Sequence, residues 1–271
     1  MNSVFVMEAR TARELKLEPE ILLPYALDGS EIERYSWARP NSVLIYPYRD
    51  TGTKSPELIA EDDLRDQFPK AYEYLSEFKA ELRQRKDSRR RYATATNWYR
   101  HLRPGSFQYI RPEKIVIKGI ARRCCAGLLK QNAAFDGANC PSVILTAQAN
   151  YSRSYFLGLL NSRLATYHLC GVCPPKLSGY TRFSASVVTQ LPIRVIDFTK
   201  KPDKAQHDRV VELVERLLAL HEQLPKAKTD QDKKILERQI ATVDRQLDQL
   251  IYELYGLNDS EIALVEEATS R

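Results

Sequence analysis

The sequence predicts an α+β fold: a mixed α/β part with several short twisted sheets, followed by a C-terminal antiparallel helical hairpin. Three observations carry this reading. Short β-branched and aromatic runs ("SVLIYPYRDTG", "KIVIKGI", "SVILT") are bounded by turn residues. Past residue 206, apolar residues recur every three or four positions in two stripes joined by a short polar connection. With 43% hydrophobic and 28% charged residues over 271 positions, the composition is that of a globular chain able to bury a real core. The expected division is an α/β domain over 1–205 and a helical hairpin with a short terminal helix over 206–271.

Taken in order, the first sixty residues read as short strands and turns, with "SVLIYPYRDTG" a strand closed by Asp50-Thr51-Gly52. Pro69 suits a first helical turn, and Tyr72, Leu75, Phe78 and Leu82 follow at helical spacing. The next stretch, "RQRKDSRRRYATATNWYRHLRPGSF", is polar, basic and aperiodic, and is expected to be a long loop or a set of short turns. "KIVIKGI" and "SVILT" are compact strands around the turn-rich return "LLKQNAAFDGANCP". "SRSYFLGLLNSRLATYHL" predicts one amphipathic helix with Tyr155, Leu159, Leu160, Leu164 and Tyr167 on a shared face. In the hairpin, Val210, Leu213, Leu217, Leu220 and Leu224 form one stripe. Leu236, Ile240, Val243, Leu247, Leu250, Leu254 and Leu257 form the other. Gly256 sits where a C-cap glycine belongs, and Asn258 with Glu261 predicts a capping box for a last short helix.

The net charge of +6 is unevenly spread. Residues 81–130 hold fourteen Lys/Arg against Glu81, Asp87 and Glu113, residues 151–200 oppose six cations with Asp197 alone, and beyond His207 acids outnumber bases. Such segregation points to a polyanion partner for the middle of the chain, or to a solvated basic face. No apolar run approaches the ~20 residues of a membrane span. The N-terminus lacks a signal-peptide layout, and five cysteines, an odd number, fit a reducing compartment, so a cytoplasmic setting is expected.

Catalytic patterns are sparse. Ten glycines are scattered singly, without a phosphate-binding loop, and the four histidines stand far apart in sequence. Cys170 and Cys173 have zinc-ligand spacing, which Cys124, Cys125 and Cys140 could complete, against the alternative that all five are small apolar residues. Asp203 with Asp232-Lys233-Lys234 imitates a Mg²⁺-nuclease pattern, but the first lies in a linker and the second opens a helix. No nucleophile comes with a base, so the chain itself is expected to be no enzyme.

Five segments in order resemble the TaqI-like C-terminal specificity domain, the target recognition domain of fused (Type IIG) restriction-modification enzymes. They are "LLPYALDGSEIERYSW" with "VLIYPYRDTG", then "FPKAYEYLSEFKAELRQR", then "WYRHLRPGSFQYIRPEKIVI". "YFLGLLNSRLATYHL" with "GYTRFSASVVTQLPI", and finally "VDRQLDQLIYELYGLNDSEIALVE", complete the series. The family's Asn-Pro-Pro-Tyr loop and S-adenosylmethionine site are absent, and Asn2-Ser3-Val4-Phe5 looks like the tail of a Thr-Gly-x-Asn-x-x-Phe motif. The resemblance therefore implies a fragment of a longer enzyme, with no cofactor of its own. The parent would be a DNA adenine methyltransferase using S-adenosylmethionine and, if it also cuts, Mg²⁺. The family's glycine-lysine-arginine loop is replaced here by "CGVCPPKLSG".

The resemblance and the charge pattern together imply double-stranded DNA as partner, alongside the methyltransferase/endonuclease part of the same polypeptide, and no membrane. Phosphate contacts are expected of Arg122, Arg123 and Arg182, and base reading of at least one of Arg89, Arg90, Arg91, Asn97 and Lys176. Arg100, Arg103, Lys130 and Tyr180 complete the expected DNA-binding set, while Phe183 reads as core. The segments 83–103, 122–123 and 176–182 are expected to converge on one side. Two other readings stand beside this one: a protein-interaction scaffold acting through the helical stripes, and an RNA binder stacking bases on Tyr92, Trp98 and Tyr99.

Overall fold

The computed structural model describes residues 4–53, 55–87, 90–91, 96–146, 150–173 and 179–270. The chain divides into two compact units. Met1–Leu27, Pro40–Glu113 and Lys130–Phe135 form the first, and Asp28–Arg39, Lys114–Leu129 and Asp136–Arg271 the second. The boundary expected at residue 205 falls within the first turns of a long helix of the second unit.

The first unit is built on a four-stranded sheet ordered β1 (Val6–Glu8), β3 (Ser42–Ile45), β2 (Leu22–Ala26), β11 (Ala134–Phe135). Its strands pair antiparallel except β11, which lies parallel to β2 with Ala134 opposite Tyr25. The strand expected through "SVLIYPYRDTG" is two. Pro47 lacks the N–H that a ladder needs, so β3 stops at Ile45, and β4 (Tyr48–Arg49) pairs instead with β5 (Glu57–Leu58). Helix α1 (Ala9–Glu14) follows β1, and α2 (Glu61–Gln67) precedes α3 (Pro69–Glu77), which Pro69 opens as expected. The helical spacing running on to Leu82 is interrupted at Phe78, whose ψ of 8° separates α3 from α4 (Lys79–Arg83). Leu64, Leu75, Leu82, Phe5, Ile21 and Ile45 fill the core with Trp98 and Tyr99. A short hairpin of β6 (Lys86–Asp87) and β7 (Arg90–Arg91) and the one-turn helix α5 (Phe107–Ile110) complete the unit.

The second unit carries a three-stranded antiparallel sheet ordered β10 (Ala126–Leu129), β8 (Lys114–Ile117), β12 (Ser142–Val143). "SVILT" thus pairs over only two of its residues. All residues of β8 and β10 are buried, as a near-continuous apolar run suggests. Segment 35–38 hydrogen-bonds along β10, with Tyr35 N–H to the Ala126 carbonyl, Leu128 N–H to Ser36 and Ala38 N–H to Leu128. Gly127 makes room for this, since a Cβ there would lie 2.7 Å from the Glu33 carbonyl oxygen. A separate ribbon joins β9 (Ile120–Ala121) to β13 (Thr181–Arg182).

The single helix expected over 152–169 is also two, α6 (Arg153–Asn161) and α7 (Arg163–Val172). Ser162 makes the break. Its backbone is extended, its Oγ accepts from Ala165 N–H at 3.0 Å to cap α7, and its hydroxyl donates to the Leu159 carbonyl at 2.7 Å. The change of axis carries Tyr167 out to 43% exposure, while Tyr155, Leu159 and Leu160 stay buried. The short helix α8 (Ala185–Val188) follows the ribbon.

The helical hairpin is α9 (Lys201–Gln223) and α10 (Asp230–Tyr255), antiparallel across a six-residue connection. Val210, Leu213, Leu217 and Leu220 meet Val243, Leu247 and Leu254 in one core that also holds Tyr155, Leu157, Leu159 and Leu160 of α6. Gly158 sets the α6–α9 approach: a Cβ there would lie 2.8 Å from Cγ2 of Val214. Gly256 takes the left-handed conformation, φ 70°, that ends α10, and Asn258 and Glu261 form the expected capping box of α11 (Asp259–Thr269). No helix among the described residues is long and apolar enough to cross a membrane.

Candidate nucleic-acid interface

The β9–β13 ribbon has two chemically distinct faces because strand side chains alternate. Ala121 lies opposite Thr181, 8% and 7% exposed, on the inner face. Ile120 lies opposite Arg182 on the outer face. One step along, Arg122 and Tyr180 share that outer face, with the Arg122 guanidinium carbon 5.3 Å from the Tyr180 ring centroid. The stack holds a cation in place while leaving its donors free to point outward. Arg122, Tyr180 and Arg182 are all exposed.

The inner face explains why the ribbon can hold this geometry. Phe183, fully buried as expected, donates its backbone N–H to the Gly119 carbonyl at 2.8 Å, and Gly119 N–H binds the Asn139 carbonyl at 3.0 Å. Thr181 donates its hydroxyl to Cys170 Sγ at 3.5 Å, and the Cys173 thiol donates to the Arg182 carbonyl at 3.4 Å. The cysteine pair with zinc-like spacing is thus the floor on which the ribbon rests. Among the described residues no group of three or more His, Cys, Asp or Glu is placed to hold a metal ion. Burial pushes the Cys124 thiol far above its ordinary range, so it behaves as a small apolar side chain. The two acids of the nuclease-like pattern serve helix starts: Asp203 accepts from Asp197 N–H, and Asp232 accepts from the Thr229 hydroxyl at 2.8 Å.

Elsewhere in the second unit, a polar network ties the sheet to the hairpin. The Asn161 side chain accepts from Ala126 N–H and donates to the Ala126 carbonyl, both at 2.9 Å, completing the end of β10. The Asn161 carbonyl accepts from Arg34, whose guanidinium also grips Asp244 through two bonds of 2.9 and 2.8 Å. Asp248 accepts from Arg163 N–H at 2.9 Å, and burial pushes its carboxyl up to about 6. Arg123 belongs with this network rather than with the outer face. It is half-buried, its Nε and Nη2 are shut away without a hydrogen-bond partner among the described residues, and burial and then the Arg34 charge draw its pKa down. The adjacent arginines are therefore split, Arg122 outward and Arg123 inward.

In the first unit the described ends of the basic segment 83–103 are anchored by buried residues. Arg85, 4% exposed, donates to the carbonyls of Leu82, Trp98 and Arg100 at 3.0, 2.9 and 2.6 Å. Trp98 and Tyr99 are fully buried. The indole N–H binds Glu61 at 2.9 Å, with Tyr72 and Lys79 on the same carboxylate, and the Tyr99 hydroxyl donates to the Ile59 carbonyl at 2.5 Å. His101 sits among Phe5, Tyr46 and Tyr48, and desolvation lowers its pKa to about 4, so it is neutral. Asn97 and Arg100 are half-buried at the exit of the segment, and Arg103 and Lys130 are exposed. Arg90 and Arg91 lie on β7, opposite Asp87 and Lys86. Arg89, Tyr92 and Lys176 lie outside the described residues.

The expected site residues thus fall in two units: Asn97, Arg100, Arg103 and Lys130 in the first, and Arg122, Tyr180 and Arg182 together on one ribbon face in the second. Sequence reasoning missed Asn161 and Arg34, which tie the sheet of the second unit to the hairpin. An asparagine inside the apolar run "LGLLNS" was the available signal for the first, since a buried amide must find partners.

Comparison with known proteins finds relatives of the chain. The chain resembles the Type II restriction enzyme and methyltransferase RM.Eco57I of Escherichia coli, at 29% identity over 265 residues, which is 94% of this chain but 26% of that protein. The family model of the TaqI-like C-terminal specificity domain matches residues 24–193. As that match covers well over half of the chain and takes in the ribbon with its cysteine floor, the chain belongs to the TaqI-like C-terminal specificity domain family.

Proposed function

We propose that the chain is the sequence-specific double-stranded DNA recognition module of a restriction-modification enzyme. The observation that carries this is the outer ribbon face, where Arg122, Tyr180 and Arg182 stand exposed on a two-stranded element whose inner face is pinned. A two-stranded ribbon is narrow enough to enter the major groove, and arginine is the side chain best suited to phosphates and to guanine edges. The chain takes no cofactor of its own. In the whole enzyme, S-adenosylmethionine and any Mg²⁺ would belong to a methyltransferase/endonuclease part, with adenine methylation as the reaction and the cytoplasm as its setting.

The two competing readings each lose their main support. A scaffold acting through the heptad stripes needs free apolar seams, but Val210, Leu217, Val243 and Leu247 are consumed by the unit's own core. An RNA binder needs exposed stacking platforms, but Trp98 and Tyr99 are fully buried. Fluorescence anisotropy with a randomised duplex pool tests the proposal. If about six cations meet phosphates, affinity falls ~10³-fold or more between 50 and 200 mM salt. Binding that ignores salt, or that single-stranded RNA displaces more readily than duplex DNA, overturns it.

A further inference from the structure

We propose that Ile120 is a specificity-determining residue that reads the 5-methyl group of a thymine from the outer face of the β9–β13 ribbon. The inference rests on the DNA-recognition reading above and names the feature of the target that this face selects.

An isolated surface isoleucine needs no explanation. Ile120 differs in what surrounds it. It is 46% exposed, whereas Ile115, Val116 and Ile117 on the strand just before it are 0% exposed. It stands on a hydrogen-bonded strand, not a loop, directly opposite Arg182. Tyr180, 41% exposed, is the second apolar group of the same face, and its ring carries Arg122. Two apolar surfaces therefore alternate with two cations around one face, on a backbone fixed from below by Phe183, Thr181 and Cys173. The thymine methyl is the one apolar group that base pairs display in the major groove. A β-branched side chain, stiff about χ1, meets such a group with little further loss of freedom.

The ribbon also restricts where that thymine lies. Cross-strand neighbours hold their Cβ atoms about 5 Å apart, and stacked bases repeat every ~3.4 Å along a strand. The methyl read by Ile120 therefore falls within about two base pairs of the contact made by Arg182.

The test uses the full chain and a duplex selected by it from a randomised pool, with each thymine replaced in turn by deoxyuridine, which lacks only the methyl. At one position the replacement weakens wild-type binding about fourfold, the value of one buried methyl group at ~0.8 kcal/mol. Ile120→Ala binds the thymine and uracil duplexes equally at that position, Ile120→Val keeps part of the difference, and thermal stability is unchanged because the site is exposed. The position lies within two base pairs of the one where Arg182→Gln loses discrimination or phosphate protection. A wild type indifferent to deoxyuridine everywhere overturns the inference and leaves DNA recognition standing. So does an Ile120→Ala variant that keeps the fourfold difference. Failure to bind any duplex in a salt-dependent way removes the DNA-recognition reading, and the inference with it.

Discussion

Replacing Arg34 by methionine removes the cation that joins the sheet of the second unit to the helical hairpin. Three hydrogen bonds are lost at once, two to the Asp244 carboxylate and one to the Asn161 carbonyl, all of 2.8–2.9 Å. Asp244 is left as a carboxylate with a side chain 19% exposed and no cation gripping it. Charge-assisted bonds of this quality contribute about 1.5–3 kcal/mol each in context, and breaking one partner of a mostly buried pair costs about 3–5 kcal/mol in total. Methionine keeps much of the aliphatic volume, so little of the loss comes from a cavity. Urea unfolding followed by far-UV circular dichroism gives the change directly, and the double variant Arg34→Met/Asp244→Leu recovers most of it by removing the unpaired charge. A single variant that costs less than about 1 kcal/mol, or a double variant no better than the single, refutes the view that this pair braces the unit.

Three further outcomes are expected. Leu217, fully buried in the α9–α10 seam, cannot accept a charge, so Leu217→Asp lowers the unfolding free energy by several kcal/mol, read as a lower urea midpoint, and an unchanged midpoint denies the seam. The Asp248 carboxyl, raised by burial from 3.8 to about 6, binds its proton more readily in the folded than in the unfolded state between those values. Stability therefore falls as pH rises through about 4 to 6, by an amount of the order of 3 kcal/mol, and Asp248→Asn flattens that slope; equal slopes count against the assignment. Arg122→Gln weakens binding to all duplexes alike and reduces the salt slope by about one unit, whereas loss of discrimination at a single base pair would make Arg122 a base reader instead.

The elements most visible in the sequence were those fixed by local rules. The hairpin stripes, the Gly256 cap and the Asn258–Glu261 box each depend on residues within a few positions of one another, and all formed as expected. Breaks within apolar runs were harder to read. Pro47 and Ser162 each divide what reads as one element, because a missing N–H or a capping hydroxyl outweighs a continuous hydrophobic pattern. The expectation that Tyr167 shares the face of Tyr155 failed for the same reason. The candidate site was legible in composition but not in direction. Arg122 and Arg123 are equivalent in sequence, and only the bend that follows β9 decides that one is exposed and the other half-buried beside a polar network. Trp98 and Tyr99 beside arginines suggested stacking platforms, yet Glu61, 37 positions from Trp98, and the Ile59 carbonyl draw them into the core. No local pattern announces a partner at such separation.

The segment Asp28–Arg39 belongs to the second unit although much of the first follows it in the chain, and Arg34 meets Asp244 from 210 positions away. During synthesis at about 5–20 residues per second, roughly 10–40 s separate the emergence of the two partners. Throughout that interval Arg34 lacks its Asp244 partner, and once β10 has emerged it gains its edge from segment 35–38 without the hairpin behind it. The brace between sheet and hairpin is therefore assembled last, and a nascent chain that stops short of Asp244 carries the sheet of the second unit without it.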